Sequence, residues 1–238
     1  MNIICLICAR ENSKGLKNKN IKKFNGIPLI AKTIIQAKEM KIFKQIIVST
    51  DSKKIMKISD NWGAKIPFKR PDYLAKDDSS EFEVWRHACK FLKKNETPID
   101  LLVCLPCTSP LRKISDVKKA IKLYKKGNCD TIIGITESSR NPFFNMIILN
   151  KKKNAEIIIK NKKNIIRRQD APKSFDITTN FFVINPTFIL SKKNKHYIQG
   201  RVKTININKI NSIDIDTQFD FEIAEFLEKK YENTRELR

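Results

Sequence analysis

The sequence predicts an α/β fold, a doubly wound, mostly parallel mixed sheet with helices on both faces and a small antiparallel arm. Three patterns predict it. Short continuous apolar runs, of which Ile3 to Ala9 (IICLICA) is the first, have the form of strands buried on both faces. Such runs alternate with segments whose apolar residues recur at helical spacing, as in a parallel sheet covered on both sides. After Ser139 the rhythm changes to strand-like segments with no long helix between the first two.

Taken in order, Ile3 to Ala9 reads as the first and central strand, followed by the polar stretch RENSKGLKNKN and a helix from Pro28 (PLIAKTIIQAKEM). The unit recurs as QIIVST with DSKKIMKISDNWG, then as DLLVCLPC with SDVKKAIKLYKKG, and DTIIGIT follows Asp130. Phe143 to Leu149, Glu156 to Ile159 and Asn180 to Ile184 read as strands of an antiparallel excursion. Val202 to Ile207 and Ser212 to Ile215 return to the main sheet, and a helix from about Gln218 to Tyr231 closes the chain. With 238 residues, 41% of them hydrophobic, and no obvious linker, one domain over 1–238 is expected, with an arm at about 139–180. That arm has too few helices to bury its own apolar residues, so we expect it to form contacts in a homodimer.

No apolar run reaches 18 residues, and MNIICLICAR enters a strand with no basic leader, so a cytoplasmic protein with no membrane partner is expected. Six cysteines scattered through apolar segments read as reduced thiols. Two CxxC pairs, Cys5 with Cys8 and Cys104 with Cys107, suggest zinc, but residues three apart in a strand face opposite ways, which favours core thiols. The formal charge of +23 raises nucleic-acid binding. Lysine, isoleucine and asparagine are abundant from end to end, however, and no binding module is recognisable, so no nucleic-acid partner is expected. The most basic segment, Asn150 to Arg168, interleaves charge with isoleucines and suits a hairpin. Two histidines, His87 and His196, without an adjoining nucleophile give no support to an acyl-transfer triad.

A doubly wound sheet places its site at the carboxyl ends of the strands. The loop after the first strand holds Arg10, Ser13, Lys14, Lys17, Lys19 and Asn20 around Gly15. Cations, a hydroxyl and backbone amides at a strand-to-helix loop suit a polyphosphate, although an ordinary solvated lysine-rich turn would look the same. No Gly-Lys-Ser/Thr follows, so it is not the usual phosphate loop. Asp214 and Asp216 lie two apart in a strand-like segment, which puts both carboxylates on one face in a pattern suited to magnesium bridging a triphosphate. Thr217 and Asp220 have capping-box character, and Asp216 would then only support a helix start. Asp51 reads as the cap of the helix from Lys53.

ARENSKGLKNKNI resembles the N-terminal nucleotide-binding motif of the acylneuraminate cytidylyltransferase family, Ala-Arg-x-x-Ser-Lys-Gly followed by Lys-Asn. STD at Ser49 to Asp51, RPDYLAKDDSS at Arg70 to Ser80, TSPLR at Thr108 to Arg112, RRQDAP at Arg167 to Pro172 and SIDIDTQFDFEIAE at Ser212 to Glu225 resemble further blocks in the family's order. The resemblance spans nearly the whole chain. It implies a Rossmann-like mixed sheet whose arm completes the site of a dimer mate, and a reaction in which CTP and a sialic-acid-like nonulosonic acid give a CMP-sugar and pyrophosphate. It further implies that Arg10, Ser13, Lys14 and Asn20 hold CTP, with Arg10 and Lys14 on the phosphates as catalytic cations. Arg70 and Ser79 or Ser80 would line the cytosine and ribose site. Thr108, Ser109 and Arg112 would face the sugar, Arg168 and Gln169 the acceptor or triphosphate, and Asp214 and Asp216 would ligate Mg2+. A cytidylyltransferase for an eight-carbon 3-deoxy sugar acid is the neighbouring enzymatic reading, and a non-catalytic basic nucleotide- or nucleic-acid-binding protein the rival from another class.

The chain also departs from the family. Glu11 and Asn12 stand where two glycines are common, Pro106 and Cys107 where Gln-Pro is frequent, and Arg140 is the nearest cation to RNPFFNM, where the family has a sugar-carboxylate lysine.

Overall fold

The computed structural model describes residues 1–11, 15–160 and 165–236, with residues 232–236 by backbone alone. Its centre is a six-stranded sheet made of β1 (Ile3–Cys8), β4 (Gln45–Ser49), β5 (Leu101–Cys104), β6 (Thr131–Glu137), β9 (Phe175–Ile184) and β10 (Val202–Asn206), in the order β10-β6-β9-β5-β1-β4. Two two-stranded ribbons accompany it, β2 (Lys23–Phe24) with β3 (Ile27–Pro28) and β7 (Ile147–Leu149) with β8 (Ala155–Ile157). In the main sheet β1 pairs parallel with β4 and β5, and β10 with β6, while β9 runs antiparallel between β5 and β6.

Side-chain alternation divides the core into two layers. Ile3, Cys5 and Ile7 of β1 meet α1 (Leu29–Met40), α2 (Lys53–Asn61), α4 (Ile114–Lys125) and α6 (Gln218–Glu236) on one face. Ile4 and Leu6 meet α3 (Glu81–Lys94) and α5 (Pro186–Leu190) on the other. Both faces are therefore dry, as the unbroken apolar runs require. The same alternation separates the thiols, with Cys5 and Cys107 in the first layer and Cys8 and Cys104 against the second. All six cysteines are free.

Four expectations are corrected. β1 lies one strand from the edge, not at the centre, because the chain adds β9, β6 and β10 beyond β5; burial on both faces needs two helical layers, not a central place. Asn180 to Ile184 belongs to the main sheet as the end of the ten-residue β9. Ser212 to Ile215 forms no strand: Ile213 and Ile215 pack into the core, which produces the alternation, but the backbone has no ladder partner. Asp51 does not cap α2; Ser52 occupies the N-cap position.

Among the described residues the excursion carries strands at Ile147–Leu149 and Ala155–Ile157, each shorter than the segment read as a strand. Its base is closed by Ser138 N–H donating to Ser174 O at 3.1 Å and Asn141 Nδ2 donating to Pro172 O at 2.8 Å. Ile147, Ile148 and Leu149 are each more than half exposed, so apolar side chains project from both faces of the ribbon. Among the described residues no helix is long and apolar enough to cross a membrane.

Candidate active site

The segment after β10 builds the site. Ile207 N–H donates to Ile135 O, Asn180 Nδ2 to Asn211 O and Ile215 N–H to Thr108 O, so the chain crosses the carboxyl ends of β6 and β5 on its way to α6. That path carries Asp214 and Asp216 to the loop after β1. There the approach is close: a Cβ built on Gly15 would lie 2.2 Å from Asp216 O. Lys19 joins the same two segments, its Nζ donating to Ile215 O at 2.6 Å and pairing with Asp216 Oδ1 at 2.9 Å.

Asp216 is not the helix cap. Thr217 Oγ1 accepts from Asp220 N–H, while Asp220 Oδ2 accepts from the Thr217 and Asp216 amides, so Thr217 and Asp220 cap α6 reciprocally. The Asp216 side chain is left 70% exposed, with Lys19 as its cation. Asp214 is different. Its Oδ1 is buried and has no hydrogen-bond partner. Burial is the main influence raising its pKa; the neighbouring Thr108 hydroxyl opposes this, the Asp216 charge adds to it, and Thr179 and Lys19 oppose it. An orphaned carboxylate oxygen beside a second, exposed carboxylate is a donor set that fits a hard divalent cation completed by phosphate oxygens and water.

The other predicted residues divide into several groups. Asn20, nearly buried, donates from Nδ2 to Arg10 O at 2.9 Å and holds the strand end that carries Arg10. Arg10 Nη1 reaches Lys76 O at 2.9 Å and Asp77 Oδ1 at 3.0 Å, spanning to the loop before α3. Ser13 and Lys14 lie outside the described residues. Glu11, the departure from the family pattern, is bound on both sides: its N–H donates to Asp51 Oδ1 at 3.1 Å, and Ser52 Oγ donates to its carboxylate at 3.0 Å. Arg70 is buried and braces the end of β4, with Nη2 donating to Ser49 O at 2.6 Å. Ser79 Oγ donates to Tyr73 O at 2.9 Å, and Ser80 is the N-cap of α3 without a side-chain cap bond.

Thr108 adjoins Asp214, and buried Ser109 shares a 2.9 Å hydroxyl contact with Thr179 on β9. Arg112 is buried too, and its guanidinium donates to Asn180 O, Pro106 O and Gln36 Oε1. Desolvation lowers it to about 10. Through these bonds Arg112 joins β9, α1 and the segment after β5, with three of its five N–H donors on protein oxygens. Arg168 sits at the base of the arm, with Nη2 donating to Ser138 O at 2.7 Å, and Gln169 is exposed beside it. A separate cleft of about 940 Å3, lined by Gln36, Leu111, Ile114 and Asn211 among others, opens between α1, α4 and α6 and holds none of the carboxylates at the strand ends.

At this end of the sheet, burial disfavours the thiolate form of the cysteines. Burial pushes Cys8 and Cys107 up to about 12, far from the thiolate form at neutral pH. Iodoacetamide at pH 8 should therefore label the folded protein much more slowly than the denatured one, in which all six thiols react; rapid native labelling of Cys8 would contradict this.

A family model described as Cytidylyltransferase matches residues 4–237. The chain belongs to this cytidylyltransferase family. Among curated relatives, it is 36% identical to post-translational flagellin modification protein B of Campylobacter coli, over 96% of this chain and 95% of that protein. It is 35% identical to CMP-N,N'-diacetyllegionaminic acid synthase of Campylobacter jejuni, over 94% of each. The N-acylneuraminate cytidylyltransferase of Escherichia coli is 29% identical over 96% of this chain and 52% of its own length. A solved CMP:2-keto-3-deoxy-manno-octonic acid synthetase superposes with a TM-score of 0.70 at 14% identity, covering 97% of this chain and all of that one, which shows a shared fold. For a cytidylyltransferase, the sequence missed Lys19 as the partner of Asp216 and Thr179 as a neighbour of Asp214; loop position hinted at the first, but nothing local marked the second.

Proposed function

We propose that this chain joins CTP to a nonulosonic acid of the sialic-acid-like class, forming a CMP-sugar and releasing pyrophosphate. The observation that carries the reading is the Asp214–Asp216 pair brought to the Gly15 loop at the carboxyl ends of the strands. The family supplies the nucleotidyl chemistry, and the CMP-diacetyllegionaminic and acylneuraminate names of full-length and partial relatives point to nonulosonic acids. In the reaction the sugar's anomeric hydroxyl gives up its proton to solvent and its oxygen bonds to the α-phosphorus as the bond to the bridging oxygen of pyrophosphate breaks. Positioning and charge neutralisation dominate such chemistry.

Asp214 and Asp216 would hold Mg2+, which when bound neutralises charge on the phosphates. Arg10 and Lys14 would meet the departing phosphates, and Lys19 sets the Asp216 carboxylate in place. Arg70 and the turn through Ser79 and Ser80 would shape the base and ribose end, while Thr108 and Ser109 approach the sugar. The test is pyrophosphate release from each nucleoside triphosphate with magnesium and a panel of nonulosonic and eight-carbon acids. CTP with a nonulosonic acid should be strongly preferred; equal release from all four nucleotides, or preference for the eight-carbon acid, would overturn the reading.

The reading extends to a cytoplasmic homodimer built through the arm. Contiguous exposed apolar surface on a two-stranded ribbon, itself marginal alone, calls for cover. Sedimentation should give the mass of two chains, falling to one when Ile148 and Leu149 are replaced by lysine. A fully active single-chain species in the unsubstituted protein would count against it.

A further inference from the structure

The start of α2 spends side chains on the loop after β1 instead of on its own amides. Ser52 occupies the N-cap position, where a serine oxygen ordinarily accepts from the first free N–H groups of the helix, yet it makes no cap bond. Its hydroxyl, in a residue only 2% exposed, donates to the Glu11 carboxylate at 3.0 Å. The preceding Asp51 serves the same residue, its Oδ1 accepting the Glu11 N–H at 3.1 Å. Two adjacent side chains at a helix start are thus committed to one residue of a distant loop, in place of the local bonds their position offers.

These bonds fix one peptide unit from two directions. Asp51 holds the Glu11 N–H, and the carbonyl of the same peptide, Arg10 O, accepts from the nearly buried Asn20 at 2.9 Å. Because the peptide is planar, holding both groups sets its orientation, and with it the directions in which Arg10 leaves β1 and the chain runs on toward Gly15. The Glu11 carboxylate adds a third bond, to a helix anchored in the core through Ile55. The space beside it, about 30 Å3 and lined by Asn18, Asn20 and Ser52 among others, has the size of a water site and not of a nucleotide or a sugar. A carboxylate left free beside a triphosphate would repel it, whereas Ser52 holds this one toward α2. Resting on the cytidylyltransferase reading, we propose that Glu11 is a positioning residue, a latch to Asp51 and Ser52 that keeps the loop after β1 in the form that receives the triphosphate of CTP.

Equilibrium binding of CTP and of CMP, which lacks the two departing phosphates, tests this with magnesium and without sugar acid. Glu11→Ala should weaken CTP by roughly 10-fold or more, the scale of a lost hydrogen bond to a charged group. The same variant should hold CMP within about two-fold and keep the unliganded melting temperature, as an exposed side chain allows. Glu11→Gln keeps an oxygen for the Ser52 hydroxyl and should bind CTP within about three-fold of wild type. Ser52→Ala should reproduce Glu11→Ala, and the double variant should lose little more than either, because the two residues are the ends of one bond. Wild-type CTP affinity in Glu11→Ala, equal weakening of CTP and CMP, a loss in Glu11→Gln as large as in Glu11→Ala, or losses that multiply in the double variant would each overturn the proposal. Failure of the wild-type protein to bind CTP at all overturns the transferase reading on which it rests.

Discussion

Asn at Asp214 or at Asp216 should lower turnover by roughly 100-fold or more, the scale of losing one preorganised charged group, with partial recovery in excess magnesium or manganese. Stability should respond otherwise. Asp216 is 70% exposed, and an exposed ion pair such as that with Lys19 contributes little, so Asp216→Asn should leave the metal-free melting temperature nearly unchanged. Asp214 carries a buried, unpartnered oxygen, and its folded-state pKa is raised above the unfolded value. A group shifted in that direction favours the folded state below its unfolded pKa, and this contribution is lost as pH rises through the folded pKa. Asparagine removes the penalty, so Asp214→Asn should match or exceed the wild-type melting temperature without metal, by a margin that widens as pH rises through that range. Pyrophosphate release at limiting and saturating magnesium, paired with calorimetry across pH, checks both halves. Full activity of both variants at limiting magnesium would sink the metal assignment.

Gly15→Ala should be nearly as damaging, although it adds one methyl group. The new Cβ would sit 2.2 Å from Asp216 O, and the obstacle is backbone, which cannot rotate aside as a side chain would. Either the loop after β1 or the segment bearing the aspartates must move. A displacement near 1 Å between reacting groups costs on the order of 100-fold in rate, and overpacking of this kind costs about 1–3 kcal/mol of stability. Turnover and melting temperature should therefore fall together, in contrast to the aspartate variants. Wild-type values of both would mean that the two loops are not in contact.

Much of the architecture was legible because periodicity is a local property. QIIVST, DLLVCLPC and DTIIGIT became β4, β5 and β6, and the helical patterns after Pro28, Ser52 and Ser115 became α1, α2 and α4, since each pattern matches a surface the element must bury. The CxxC pairs divided between the two faces as alternation requires. Ser212 to Ile215 misled for the same reason: Ile213 and Ile215 alternate because they enter the core, and a loop laid over a core alternates as a strand does. Nor did sequence order reveal that β9 inserts antiparallel between β5 and β6, because strand neighbours are chosen by packing over the whole sheet.

For the site, the sequence by itself determined which residues were available and the family to which they belong: Arg10, Asn20, Arg70, Thr108, Asp214 and Asp216 stand in blocks whose order persists along the chain. Only the tertiary structure decided what those residues do to one another. Lys19 meets Asp216 across 197 positions, Gly15 is required by a backbone with which it shares no local pattern, and Arg112 joins β9, α1 and the segment after β5. Such contacts depend on where the sheet places distant loops, and no window of sequence contains both partners.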